Sequence, residues 1–296
     1  MNSNNQPRQY IPVDLHAHTT HSDGSLSVKE LMAMVKNNGG KYQALTDHDT
    51  VNGISEAREE ASKNELTLIP GVEISVTWTG NTLIHIVGLG VDEKNSQLVE
   101  SLDNMRNQRI ERGKKIAQNL ARAGIGGAFE GAMSYCKNPE SLSRTHFSDW
   151  LVANGYAKPG KAFDKFLAPG RVGYVAQKWA NLEDAVKWIT NSGGIAVIAH
   201  PARYKFTRTK LIKLIDEFKS YGGIGIELIS SSHSLQDEAN IASLCVSKEL
   251  LASVGSDFHK TESYRRINPG INKRPPNKIP TVFKHLGIDE TIFDVE

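Results

Sequence analysis

Cysteine is scarce. Cys136 and Cys245 are the two in 296 residues, far apart and without Cys-X-X-Cys spacing. That excludes a disulfide framework and a thiolate zinc site, and it fits a reducing compartment, the cytoplasm. No apolar run is long enough to cross a membrane. The stretch Met1 to Gln9 is polar and lacks an apolar h-region, so it does not read as a signal peptide. Surplus charge is absent as well. Lys and Arg number 35 against 33 Asp and Glu, a net +2, so no global basic field advertises nucleic acid. Repeats, low-complexity tracts and a Gly-X-Ser-X-Gly nucleophile elbow are all missing. The remainder is ordinary globular composition, 39% hydrophobic and 23% charged, with length for a full core in one large domain or two.

What is present is an alternation of short apolar runs with helical patterns. Strands are expected at 11–15, 42–46, 66–69 with 72–77, 83–91, 195–199, 224–229 and 250–254. Helices are expected at 54–63, 96–123, 145–153, 161–167, 182–190, 210–218 and 236–248. Another opens at Ser27, where Glu30 completes a capping-box pattern, and ends at Gly39-Gly40. Seven strands alternating with helices predict a parallel α/β barrel, whose sites gather at the carboxyl ends of the strands. The barrel is expected in two pieces, 11–96 and 173–262. Between them, 97–172 reads as an inserted, mainly helical subdomain, and 263–296 as a C-terminal extension packing on the barrel.

The histidines fall where such a barrel would use them. In Asp14-Leu15-His16-Ala17-His18-Thr19-Thr20-His21-Ser22-Asp23-Gly24, residues i and i+2 of an extended chain point to one side. His16 and His18 can therefore address one point, and Asp23 can return from the turn. His48 follows the second strand, His200 the fifth, and Asp257 and His259 the seventh. His85 breaks the rule by standing early in its strand. A hairpin around Trp78-Thr79-Gly80 would explain it, with Thr77 opposite Asn81 and Glu73 opposite His85 on one face. His16, His18, Asp23, His48, Glu73, His85, His200, Asp257 and His259 are too many ligands for one ion and suit two or three. With nitrogen and oxygen donors and no thiolate, manganese, zinc, iron and magnesium are all open.

The motifs Asp-Leu-His-Ala-His-Thr-Thr-His-Ser-Asp-Gly, Leu-Thr-Asp-His-Asp-Thr, Ile-Pro-Gly-Val-Glu-Ile-Ser, His-Ile-Val-Gly-Leu, Ala-His-Pro and Gly-Ser-Asp-Phe-His resemble those of the polymerase-and-histidinol-phosphatase (PHP) family of metallophosphoesterases. Within the insertion, Ser143-Arg144-Thr145-His146-Phe147 and the stretch from Leu167 to Val175 resemble a bacterial subgroup of that family. The subgroup contains 3′,5′-nucleoside bisphosphate phosphatases and the 5′-to-3′ exoribonuclease RNase AM. The resemblance implies a distorted seven-stranded (β/α)7 barrel and a trinuclear site. His16, His18, Glu73 and Asp257 would hold one metal, and Glu73 would bridge to a second held by His85 and His200. Asp23, His48 and His259 would hold the third. Many members of the family have histidine at the place of Asp23.

Such a site needs no serine or cysteine nucleophile. Two metals about 3.5–4 Å apart can present a bridging hydroxide and clamp the phosphoryl oxygens. Asp14, Asp47 and Asp49 adjoin ligands and are expected either to accept the second ring N–H of an imidazole or to serve as turn and capping residues. Arg144, His146, Arg171 and Arg203 are the candidates for a second substrate phosphate. For Arg144 and His146 that role rests on the resemblance, against a solvated helix start. Arg171 could equally form a loop salt bridge. Tyr174 either stacks on a base or packs at the domain junction. Arg106, Arg109, Arg112, Lys114, Lys115 and Arg122 form either a solvated face or a track for an RNA backbone. Glu227 is either an acid supporting the ligands or part of a buried pair.

The expected enzyme hydrolyses the 3′-phosphate of 3′,5′-bisphosphonucleotides such as pAp and acts as a 5′-to-3′ exoribonuclease on short or 5′-phosphorylated RNA. The resemblance leaves two alternatives: a histidinol-phosphate phosphatase, or a non-catalytic metal-binding scaffold. An accessory module of a polymerase is disfavoured because the chain has no room for one. Neither a membrane nor an obligatory protein partner is expected.

Overall fold

Pro12 splits the first expected strand, because proline offers no N–H to a ladder. Tyr10–Ile11 (β1) pairs antiparallel with a late strand, and Val13–Asp14 (β2) enters the main sheet. Val28–Asn37 (α1) follows, and both halves of the Ser27–Glu30 capping box are present. Tyr42–Leu45 (β3), Ile54–Lys63 (α2), Thr67–Trp78 (β4) and Thr82–Leu89 (β5) come next. The insertion carries Ser96–Arg122 (α3), Ala128–Ser134 (α4), Arg144–Ala153 (α5) and a π-helical turn at Phe163–Leu167. Leu182–Asn191 (α6), Ile195–Ile198 (β6), Arg208–Ser220 (α7), Gly225–Ser230 (β7), Leu235–Lys248 (α8) and Leu251–Gly255 (β8) complete the alternation. Asn272–Lys273 (β9) is the partner of β1. This computed structural model describes residues 10–177, 179–261 and 268–293. The expectations for 1–9 and for the boundary at 262/263 lie outside those residues.

Strands β2 to β8 form one seven-stranded sheet in chain order. It closes where the Leu15 N–H donates to the Val254 carbonyl at 3.0 Å and where Ala17 bridges to Phe258. The barrel is not all-parallel as expected: β5 runs antiparallel to both β4 and β6. The physical reason is the link at Thr79–Asn81, since a three-residue loop can only fold a strand back, whereas a parallel return needs a crossover of a dozen residues or more. One core, including Leu15, Leu31, Ile74, Ile86, Ile198, Phe218 and Val254, fills the space between the barrel and its helices.

The insertion has a core of its own, built from Ile116, Leu120, Phe147, Leu151 and Leu167 among others. Helix α3 belongs to both: Leu98, Leu102 and Met105 pack with the barrel, and Ile116 and Leu120 with the insertion. The change of core therefore falls within α3, after Met105, rather than at its start. At the other end of the chain, Ile279, Val282, Phe283 and Ile288 join the barrel core, and Thr281 bridges to Ala252 of β8.

Candidate metal centre

The ends of the strands converge on one cluster. After β2, the Ala17 N–H donates to Thr46 Oγ1 at 3.0 Å, and the Thr46 N–H donates back to the Ala17 carbonyl. That ties Ala17 to β3 and turns His16 and His18, its neighbours on the other side of the pleat, into the barrel mouth. Both are fully buried, with their Nε2 atoms 3.1 Å apart. Glu73 Oε2 lies 3.3 Å from one and 3.2 Å from the other, and Asp257 Oδ1 lies 3.4 and 3.2 Å from them. Glu73 also meets His48 Nδ1 through Oε2 at 3.0 Å. Its Oε1 is 2.9 Å from His85 Nδ1 and 2.9 Å from His200 Nε2. Asp23 Oδ1 is 3.3 Å from His259 Nε2 and 3.9 Å from His48 Nε2. Three sets of donor atoms within 4.8 Å of one another result: His16, His18, Glu73 and Asp257; His48, Glu73 and His85; and His18, Asp23, His48 and His259.

His85 reaches this cluster by a register other than the expected one. Thr77 pairs with Leu83, Glu73 with Val87 and Ser75 with His85, a slip of two because the turn is Thr79–Asn81. A slip of two preserves the face, so Glu73 and His85 still meet, diagonally. The antiparallel sense of β5 also explains why His85 stands early in its strand: the start of β5 lies beside the carboxyl ends of its parallel neighbours. The Tyr204 hydroxyl holds the strand there, accepting from the His85 N–H at 2.9 Å and donating to the Ala199 carbonyl at 2.8 Å.

Backbone strain marks the same place. Asp49, His200 and Asp257 have φ of 53°, 27° and 51°, a region that costs non-glycine residues energy and persists at sites that need it. Gly255 packs against His16, where an added Cβ would lie 2.4 Å from the His16 Cβ.

None of the three aspartates expected to orient an imidazole is seen to do so among the described residues. Asp14 accepts from the N–H groups of Ser256 and Gly270 at 2.8 and 3.0 Å, joining β2 to the chain after β8. Asp47 accepts from the Thr19 N–H at 2.8 Å and from the Thr19 and Ser22 hydroxyls, which shapes the turn leading to Asp23. Asp49 accepts from the Ser75 N–H at 2.7 Å and from Arg109. Short aspartates beside strand ends satisfy backbone donors before they reach a ring nitrogen. The orienting acid is Glu227. Its Oε1 lies 2.5 Å from His16 Nδ1, and its Oε2 accepts from the His200 N–H at 2.5 Å. A lone carboxylate amid the apolar residues of β7 was the available signal.

Burial alone would raise the carboxyl pKa values of Glu73, Asp257 and Asp23, yet facing imidazoles hold all three well below their usual range. Burial likewise opposes a charge on His16, but Glu227, Glu73 and Asp257 outweigh it and hold the ring well above its usual value. Several buried atoms in the cluster have no properly formed hydrogen bond: His18 Nδ1, Asp23 Oδ1, His48 Nδ1, Glu73 Oε2, His200 Nδ1 and both Asp257 oxygens. Such orphans are rare in folded proteins unless an ion or water completes them. A tetrahedral ion with bonds of about 2.0–2.1 Å has ligand–ligand edges of about 3.3–3.4 Å. The edges measured above among His16, His18, Glu73 and Asp257 run from 3.1 to 3.4 Å. The donor set fits divalent metal.

The cations divide by direction. Arg203 is ion-paired with Asp257, which ties it to the ligand set. The charged run on α3 is neither a uniform solvated face nor a continuous exposed track. Arg106 is buried against the Asp49 carbonyl and Glu140, and Arg109 reaches Asp49 and the Ser75 hydroxyl while lying 4.5 Å over Trp179. Lys114, Lys115 and Arg122 are exposed. Arg112 donates through Nε to the Val175 carbonyl at 3.0 Å and faces the charges of Arg144 and Arg109; burial and those charges bring its pKa down to about 10. Arg144 donates to the Leu167 carbonyl at 3.3 Å, and burial lowers its pKa too. Among the described residues neither Arg112 nor Arg144 has a carboxylate partner, and half-buried Tyr174 stands beside both. His146 Nδ1 accepts from the Ser143 N–H at 3.1 Å as a helix cap, and burial lowers its pKa. Arg171 is exposed in the turn before Tyr174. His21 pairs with Glu56 outside the cluster.

A family model for the PHP domain matches residues 14–231. The chain belongs to the PHP family. Among similar PHP proteins, a 3',5'-nucleoside bisphosphate phosphatase of Chromobacterium violaceum is 46% identical over 248 residues, 83% of this chain and 87% of that protein. The 5'-3' exoribonuclease Rnm of Escherichia coli is 40% identical over 250 residues, 83% of this chain and 85% of that one. In three dimensions, a structure described as an amidohydrolase from Chromobacterium violaceum with bound sulfate and no metal superposes with a TM-score of 0.88. It is 42% identical, and the match covers 94% of this chain and 96% of that one. The PHP barrel, the family and the subgroup are thus those that the sequence motifs resemble.

Proposed function

We propose that this PHP enzyme removes the 3′-phosphate from 3′,5′-bisphosphonucleotides, converting pAp to AMP and phosphate, and in the same site releases nucleotides from the 5′ end of short or 5′-phosphorylated RNA. Family and relatives support a phosphoric-ester hydrolase. The observation that carries the bisphosphate substrate is the pair Arg112 and Arg144 in the insertion, without a carboxylate partner among the described residues and with Arg112 one turn of α3 from Arg109, which meets Asp49 next to His48. Two guanidiniums that are partly buried and repel each other are costly unless an anion joins them. On this reading they hold the 5′-phosphate, with exposed Arg171 at the rim, buried His146 capping the helix that carries Arg144, and Tyr174 placed to stack on the base.

His16, His18, Glu73 and Asp257 would hold one ion, Glu73 with His85 and His200 a second, and Asp23, His48 and His259 a third. Manganese is the expected metal, with zinc, iron and magnesium as alternatives that this nitrogen–oxygen set also accepts. When bound, such ions supply Lewis acidity, neutralising phosphoryl oxygens and easing ionisation of water near neutral pH. Glu227 orients His16, and Arg203 lies where it can meet the phosphate at the metals. Water adds to the 3′-phosphorus, the bond to O3′ breaks and O3′ takes up a proton. In pAp the departing group is phosphate; in RNA it is the next nucleotide, carrying its 5′-phosphate. The barrel at 11–96 and 173–262 does the chemistry, and the insertion at 97–172 selects the substrate. The two free, buried cysteines agree with a cytoplasmic enzyme.

Metal analysis of the purified protein, joined to kinetics on pAp, 5′-phosphorylated short RNA and histidinol phosphate, tests this. Turnover of pAp and RNA is expected. Turnover of histidinol phosphate alone would make it a phosphatase of another substrate, and a metal-replete protein inert to all three would make it a scaffold.

A further inference from the structure

Beyond Arg112 the structure opens into a groove that the reaction above does not use. It lies between α3 and the chain after Tyr174, has a volume of about 670 Å3, and is within the size range of small-molecule sites. Gln108, Glu111, Arg112 and Lys115 line it at intervals of three and four, one face of the helix. Gln177 lines the opposite wall, and its two side-chain polar atoms are buried without a hydrogen-bond partner among the described residues. The Glu111 carboxylate, the acid on this face, is taken up by Lys114 at 2.7 Å. Lys115 has no acidic partner within ion-pair distance among the described residues. The floor thus carries two cations to one carboxylate, Glu111, which also feels the charge of Lys115, and amides flank it.

The order of the residues decides what could lie there. Arg109 abuts Asp49, next to His48, and Arg112 stands one turn farther along α3. Lys115 stands one turn beyond that. Arg112 and Lys115 are three residues apart on one face of the helix, and the flexible four-carbon stem of Lys115 lets its ammonium close on a phosphate adjacent to one held at Arg112. A group entering the groove from the catalytic side passes Arg112 first. If Arg112 and Arg144 hold the 5′-phosphate, the groove receives whatever extends from that phosphate, away from the metals.

We propose that this groove is a subsite for a 5′-polyphosphate, so that the enzyme accepts nucleotides and RNA ends bearing a 5′-diphosphate or 5′-triphosphate. Arg112 contacts the first phosphate, Lys115 the next, and Gln108 and Gln177 donate to their oxygens. The inference rests on the placement of the 5′-phosphate in the preceding subsection.

Calorimetric titration of the full-length protein with AMP and ADP separates the two ideas. ADP is expected to bind about fivefold more tightly than AMP, the gain of one exposed ion pair at the upper end of its range. Lys115→Ala should erase that gap and leave AMP binding as it was. ADP binding no more tightly than AMP, or a gap that survives Lys115→Ala, overturns the proposal. If ADP is favoured in this way while pAp is not hydrolysed, the groove stands and the assigned reaction fails; if pAp is hydrolysed and ADP is not favoured, the groove alone fails. Kinetics on 3′-phosphorylated ADP and on 5′-triphosphorylated RNA distinguish a free nucleotide from an RNA end as the source. Should Lys115→Ala weaken RNA turnover equally whatever its 5′ end, the groove follows the strand instead and the polyphosphate assignment is wrong.

Discussion

At the scale of single residues, the side chains that orient the cluster matter as much as those that would bind metal. Glu227 touches His16 through one oxygen and the backbone of His200 through the other. Glu227→Gln keeps the shape and removes the charge. Outer-shell partners of ligating histidines are typically worth about 10–100-fold in metal affinity. The expected result is a loss of manganese affinity in that range, read by calorimetry on metal-depleted protein. Unchanged affinity would remove Glu227 from the design. The cysteines carry a second prediction. Burial pushes the Cys245 thiol up to about 12 and raises Cys136 as well. A raised thiol pKa leaves the unreactive protonated form dominant at pH 8. Both should resist a disulfide reagent in the native protein and react promptly in denaturant; fast labelling of native protein at Cys245 would contradict the burial argument.

Among the elements, α3 has the largest consequence. It is a member of two cores, and its Arg109 clamps the strained Asp49 beside His48. Asp49 is fully buried, so Arg109→Ala leaves a charge with Ser75 as its remaining polar support. Removing one partner of a buried pair costs about 3–5 kcal/mol. Urea unfolding should show a loss near the lower bound, since Ser75 still donates to Asp49. A loss below about 1 kcal/mol, as expected of a surface pair, would mean that α3 is not anchored through this contact. The hairpin of β4 and β5 shows how an element can be legible in outcome and wrong in detail. Side-chain parity could be counted along the sequence, whereas the position of the turn depended on Gly80 taking φ of 68° at the middle of Thr79–Asn81. Since parity repeats every two residues, the slip of two left Glu73 and His85 together.

For the whole molecule, the cluster joins chain ends that are remote in sequence, so metal should stabilise the fold. Chelation is expected to lower the melting temperature, and manganese to restore it. The restored shift should shrink as pH falls, because ligands must lose protons to bind and acid competes with the ion. A melting temperature indifferent to chelator would argue against the donor sets described here.

Much of this was readable in one dimension. The donor types, their places after apolar runs, the helix caps and the family motifs depend on local chemistry and on periods of two and 3.6 residues, which a chain carries wherever it folds. Other properties exist only once distant segments meet. Pairing decided that β5 runs against its neighbours, and the short link between β4 and β5 enforced it. The aspartates beside the ligands were drawn to backbone donors, leaving the His16 ring to Glu227 from β7 and the His259 ring to the Asp257 carbonyl. Direction decided the charged helix: of one run of cations, Arg106 and Arg109 turn inward, Arg112 meets Arg144, and Lys115 faces an open groove. A side chain's role depends on which groups are within a few ångströms, and that is set by barrel closure and by the two cores of α3.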